Sequence, residues 1–163
     1  MATTVHVSPR TAAIPVHALY GAAAGLVGGV GMGIWMSVSR PMMDTAMITM
    51  VASLLGSTNV FAGWLIHLGI ALFAGTGFGI LLGAYAQKMA PAVVLGLVYG
   101  AVWWMIGALW IMPANRGMPV FEWNDVTSSS LGAHLVFGLL AGAAFSCIAQ
   151  VMGKRTTGTT GAS

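Results

Sequence analysis

Charge is scarce in this chain: six basic and three acidic side chains, 6% of all positions. A soluble domain carries about 25% charged residues, and with far fewer a water-facing surface cannot be coated. A water-soluble fold is therefore excluded, and the chain reads as an integral membrane protein. The net charge of +3 is dispersed, and no basic run exceeds the pair Lys154-Arg155, so no nucleic-acid footprint exists. Cysteine occurs once, at Cys147, which excludes an intrachain disulfide and a cysteine-built metal site. In its apolar run Cys147 packs as a small hydrophobe. The glycines lack the preceding strand and the Lys-Ser/Thr that would make a phosphate loop. No nucleophile and base stand out: Asp125, Ser128 to Ser130 and His134 are near in sequence, but a helix cap accounts for the serines.

What the chain has instead is apolar length. Of its 163 residues 58% are hydrophobic, and the mean hydropathy is +0.89. About 20 apolar residues cross a bilayer core, and four stretches qualify: 17–38, 61–85, 92–112 and one reaching about residue 152. A polar tail, 1–16, containing His6, Pro9 and Pro15, precedes this single domain over 17–152, and a Thr/Gly/Ser-rich flexible tail follows over 153–163. Between the first two spans, after Arg40-Pro41, comes a helical stripe of Met42, Met43, Met47, Met50, Val51 and Leu54. Pro41 suits a first helical position and Asp44 the positive end of the helix dipole. The segment is too short to span, so it lies along the membrane surface or packs over the bundle. The expected fold is all-α and polytopic: four transmembrane helices plus a short amphipathic Met-rich helix between the first and second spans.

One pattern opens three spans. His134-Leu135 with Leu139, Ala141-Gly142 and Phe145 repeats His67-Leu68 with Leu72, Ala74-Gly75 and Phe78, and His17 with Tyr20, Gly21 and Ala24-Gly25 keeps the frame. The likeness of the second and fourth spans implies two related halves running in the same direction, a parallel duplication. Glycines recur at four-residue spacing: Gly21, Gly25, Gly29 and Gly33; Gly75, Gly79 and Gly83; Gly96 and Gly100; Gly138 and Gly142. In a helix each series is a smooth groove for close helix packing. In the third span, Trp110 suits an interfacial position and Trp103 and Trp104 suit packing against neighbouring helices.

Orientation follows from the basic residues. One face carries Arg10, Lys88, Lys154 and Arg155 without an acid; the other carries Arg40, Arg116, Asp44, Glu122 and Asp125. The positive-inside rule puts both termini in the cytoplasm. Arg116, Glu122 and Asp125 then form an outer polar loop. His67 and His134 fall at one depth near that loop, and His17 at the opposite surface.

An ionisable side chain within a span marks a functional site by default. Three readings compete. In the first the imidazoles only hydrogen-bond between helices. In the second His67 and His134 hold a cofactor, haem or a metal. In the third they join Glu122 and Asp125 in a proton or solute path. The outer methionines admit a soft Cu(I) site or, more simply, packing.

His67 with Gly77-Phe78, then Pro113, Gly117, Pro119-Val120-Phe121, Gly132 and His134-Leu135-Val136 resemble the YagU-like inner-membrane proteins and related four-span bacterial and archaeal proteins. The likeness covers roughly 61–150. It implies an inner-membrane four-span protein and carries no activity. The leading functional expectation is a non-catalytic structural or accessory subunit, packing in a larger membrane complex or against its own copies, because the glycine grooves exceed what four helices need among themselves. The rival is a haem- or metal-binding, or proton- or solute-conducting, protein centred on His67 and His134.

Overall fold

A computed structural model describes residues 9–39 and 46–159. His6, the Arg40-Pro41 stop, Met42, Met43 and the Asp44 dipole position lie outside the described residues. The helices are α1 (Pro9–Val38), α2 (Met47–Ala52), α3 (Val60–Leu82), α4 (Met89–Trp104), α5 (Met112–Asn115) and α6 (Asp125–Thr159), with a 3-10 turn at Ser53–Leu55 and a π-helical segment at Met105–Ile111. No strand occurs among the described residues. Four helices are long and apolar enough to cross a membrane: Ile14–Val38, Val60–Leu82, Met89–Asn115, where α4, the π segment and α5 run on without a break, and Asp125–Gly153. The short α2 lies between the first two of them.

Local chemistry explains the boundaries. The chain is already helical at Pro9, eight residues before His17, and α1 takes in Pro15. Gly56, at φ 68°, ends the turn after α2 in the left-handed region that glycine reaches without a Cβ penalty. Asn59 caps α3, its side chain accepting from the backbone N–H groups of Phe61 and Ala62. At α6 the cap is Asn124, whose side-chain oxygen accepts from the Thr127 N–H while the Thr127 hydroxyl oxygen accepts from the Asn124 N–H. This reciprocal box replaces the serine cap expected at Ser128 to Ser130, and the helix starts at Asp125. Ser128 returns its hydroxyl to the Asn124 carbonyl, Ser129 sits 3.4 Å from the Trp35 indole N–H, and Ser130 turns inward.

The glycine grooves close the bundle from within. A Cβ on Gly21 or Gly25 would overlap backbone of α3 at Ala71, Gly75 and Gly79; one on Gly96 or Gly100 would overlap the Gly138 and His134 carbonyls of α6; Gly142 meets the Ala92 carbonyl. Gly29 lies on the Ala71 methyl, Gly33 on the Trp64 ring, and Gly83 against Phe145 and His17. Close backbone approach of this kind is what small residues permit between helices in lipid. The grooves are thus filled by this chain's own helices, while Gly69 has nothing within 4 Å of its Cβ position.

The register of these contacts exposes the duplication. Gly25 sits against Ala71 and Gly75, and Gly96 sits against Gly138 and Gly142. Ala71 aligns with Gly138 and Gly75 with Gly142 when His67 is laid on His134, and Gly25 then corresponds to Gly96. The pair α1/α3 and the pair α4/α6 are the same unit twice. Between the units, α1 packs closely on α6: Gly28 meets the Phe137 carbonyl and the Ala141 methyl, and Gly31 meets Leu140. The equivalent seam, α4 against α3, is not closed. Where α1 has Gly28, α4 has Tyr99, whose hydroxyl donates to the Ala74 carbonyl at 2.8 Å, and Ala74 is the counterpart of Ala141. A glycine on one seam and a tyrosine on the other decide which pair of helices touches and which stands apart.

The short helix α2 covers the end of this open seam. Met47, Ile48, Val51 and Ala52 are buried, and Gly63 of α3 accommodates the Ile48 carbonyl. Of the two placements open to this segment, it takes the one over the bundle.

Candidate functional site

The open seam between α3 and α4 holds a cavity of about 320 Å³, at the lower end of small-ligand sites. α2 roofs it with Met47, Met50, Val51 and Leu54. α1 contributes Met32 and Met36, and α3 contributes His67, Ile70 and Phe73. α4 and its π-helical continuation give Trp103, Gly107, Ala108 and Ile111, and α6 gives Thr127, Ser130, His134 and Phe137. The wall is almost wholly apolar. Its polar side chains are those of Thr127, Ser130, His67, His134 and the indole of Trp103, and no Asp, Glu, Lys or Arg lines it.

His67 and His134, 67 residues apart, therefore line one space. Each ring is oriented by one backbone carbonyl. The His67 Nε2–H donates to the Gly29 carbonyl of α1 at 2.8 Å, in a ring only 5% exposed. The His134 Nδ1–H donates to the Ser130 carbonyl one turn earlier, also at 2.8 Å, with the Ser130 hydroxyl 3.4 Å away. In a neutral ring these bonds set the tautomer, and they leave one nitrogen of each, Nδ1 of His67 and Nε2 of His134, without a hydrogen-bond partner among the described residues. No fully enclosed side-chain nitrogen or oxygen among those residues lacks a partner, so neither of the two remaining nitrogens is fully enclosed. The Nε2 of His134 looks toward Gly107, where a Cβ would sit 3.8 Å from it.

Gly107 belongs to the π-helical segment, a local widening that recurs at functional sites. Pro113 helps to explain the departure from regular helix. It has no N–H to give the Leu109 carbonyl four residues before it; the Phe121 N–H supplies that bond at 2.8 Å. Phe121 reaches this position with φ 59°, a costly conformation for a bulky side chain. The loop after the third span is thus tied back onto the cavity wall. Trp104 adds a second tie, its indole N–H donating to the Thr127 carbonyl at 2.9 Å. Trp103 lies edge-on to Phe73 and Tyr99, and Trp110 is 55% exposed.

Further from α2, beyond the residues that line the cavity, lies an aromatic layer. Phe78 and Phe145 are fully buried, with ring centres 5.6 Å apart, and Tyr99 lies 5.4 Å from Phe78. His17 sits beyond that layer, at the 83–88 turn, 3.3 Å from the Gln87 amide and edge-on to Phe145. Ser146 and Gln150 complete this second polar group by donating to the Gln87 carbonyl. The three histidines of the repeated frame divide as two and one, at opposite ends of the bundle. Phe78, Tyr99 and Phe145 pack between the two groups.

The 113–124 loop does not line the histidine cavity. Arg116 and Glu122 border an adjoining, smaller cavity of about 70 Å³ that shares Met50, Ala108, Met112, Val126 and Thr127 with it, and Asp125 stands in the first turn of α6, where a carboxylate suits the dipole. Among the described residues no group of three His, Cys, Asp or Glu side chains could hold a metal. Cys147 is exposed on the outside of α6, far along the helix from His134.

No family model matches the chain, and no curated protein or solved structure is detectably similar to it.

Proposed function

We propose that this is a multi-pass protein of the cytoplasmic membrane, with both termini in the cytoplasm, whose task is to bind a small ligand between its second and third spans. The observation that carries the reading is the convergence of His67 and His134 on one apolar cavity, each with one nitrogen held by a backbone carbonyl and the other unpartnered. Interiors are close-packed, and a space of about 320 Å³ beside two imidazoles is where a ligand fits. The basic residues Arg10, Lys88, Lys154 and Arg155 at the opposite end support a cytoplasmic turn at 83–88, which puts the cavity in the non-cytoplasmic half of the membrane. Kinship with the YagU-like proteins belongs to the same proposal.

The wall chemistry narrows the ligand. Haem would bring two carboxylates, and no cationic side chain lines the cavity to receive them. A conducting role would need a continuation through the layer of Phe78, Tyr99 and Phe145. The accessory-subunit expectation drew on spare glycine surface, and with those grooves turned inward the cavity carries the proposal instead.

The test is direct. Full-length protein extracted in mild detergent is examined by native mass spectrometry, absorbance and elemental analysis, beside the His67→Ala and His134→Ala variants. The reading expects one bound species per chain in the wild type and its loss in both variants. A wild type that carries and takes up nothing, with variants indistinguishable from it, would overturn the proposal.

A further inference from the structure

We propose that the ligand is monovalent copper, held by Nδ1 of His67, Nε2 of His134 and thioether sulfurs from the methionines that ring the cavity. The inference rests on the ligand-binding reading above and names the chemistry of that same site.

Five of the chain's twelve methionines line this one cavity: Met32, Met36, Met47, Met50 and Met112. They come from three separate parts of the fold, α1, α2 and α5, so no single helix periodicity assembles them. Methionine ordinarily serves as a flexible filler of irregular gaps. Here Met32, Met36 and Met47 pack in the core, with Met112 against them, and all five also border the one space. Met32, Met36 and Met47 are each below 9% exposed, so their sulfurs are not a lipid-facing surface.

The two imidazoles add the other half of a metal-ligand set. A ligating histidine almost always donates its second ring N–H to a carbonyl, carboxylate or water, which fixes tautomer and direction. Gly29 and Ser130 supply those carbonyls. Charge selects the metal. Imidazole and thioether are neutral, and no carboxylate or thiolate lines the wall, so the ion would keep its full charge in an apolar setting. The cost of moving an ion out of water rises with the square of its charge, about fourfold from a monovalent to a divalent ion of similar size. Zinc, iron and divalent copper are disfavoured on that ground. Thioether sulfur with imidazole suits Cu(I).

The experiment uses full-length protein in detergent under anaerobic conditions, with Cu(I) delivered from a coloured chelator that reports its release, and X-ray absorption on the loaded protein. The expected result is one Cu(I) per chain with both sulfur and nitrogen in its first shell. The Met47→Leu/Met50→Leu double variant keeps the apolar volume and weakens binding about tenfold or more, with sulfur lost from the shell, as does His134→Ala with loss of nitrogen. Met105→Leu, on the exposed side of the third span, binds within about twofold of wild type, since its sulfur is no ligand. Failure of the wild type to compete with the chelator would overturn the copper assignment, and so would a shell without sulfur. Native mass spectrometry of the same samples separates the two levels. An organic molecule lost in His67→Ala would sink copper and leave the ligand cavity standing, whereas no bound species of any kind would sink both.

Discussion

An alanine at Gly96 examines how the two halves of the bundle are held. The added methyl would overlap the Gly138 carbonyl oxygen, and would lie 3.0 Å from its carbon and 3.2 Å from the Gly142 Cα. All three are backbone atoms, so no rotamer change relieves the overlap. The helices α4 and α6 must separate by about an ångström to restore ordinary contact, and the neighbouring contacts at Gly100, Gly138 and Gly142 loosen with them. Overpacking of this kind costs about 1–3 kcal/mol, and the shared interface puts Gly96→Ala near the upper end. Gly69 is the matched control, with nothing within 4 Å of its Cβ position. There the substitution gains a little helix propensity, less than the ~1 kcal/mol seen in water. The assay is unfolding in mixed detergent micelles followed by circular dichroism. Equal stability of Gly96→Ala and Gly69→Ala would refute the internal-groove assignment. So would a Gly96→Ala protein that unfolds like wild type but loses association with another chain, since the groove would then face outward.

Other outcomes follow from single contacts. Tyr99→Phe removes the hydroxyl donated to the Ala74 carbonyl across the open seam and lowers stability by about 0.5–1.5 kcal/mol in the same unfolding assay; an unchanged midpoint would count against that contact. Asn124→Ala strips the cap of α6 and costs about 1 kcal/mol, with faster amide exchange at Thr127, whereas Ser129→Ala stays within about 0.5 kcal/mol; the reverse order would restore the serines as the cap. Phe121→Gly relieves the left-handed backbone of the loop after the third span and gains about 1 kcal/mol; a loss of that size would show that the side chain, not the backbone, dominates there.

Much of the architecture was readable before any coordinates. Four apolar stretches define the spans because a bilayer sets a minimum length, although the second ends at Leu82 and not at residue 85. The shared depth of His67 and His134 was legible too, because a parallel repeat carries equal positions to equal levels. What resisted was whatever depends on pairs far apart in the chain. Four-residue glycine spacing tells that a groove exists and not which helix fills it, so Gly21 or Gly96 reads alike for an internal or an external neighbour. The cavity arises from Tyr99 standing where the related helix has Gly28, a difference visible only once the two halves are superposed by register. The π-helical turn at Met105–Ile111 has no periodicity of its own; Pro113 was its one local sign. The cap of α6 was misread because serines outnumber the single Asn124 that forms the reciprocal box with Thr127.

The central claim is that the second and fourth spans bring two imidazoles to one cavity at one end of the bundle. The most direct measurement is crosslinking in a Cys147→Ser background. A short thiol-specific bifunctional reagent is applied to the His67→Cys/His134→Cys protein and to His17→Cys/His134→Cys, and intrachain products are identified by mass spectrometry. The account predicts an efficient intrachain link for the first pair and none for the second, whose members lie on opposite sides of the Phe78–Phe145 layer. A first pair that fails to link, or a second that links equally well, would contradict it.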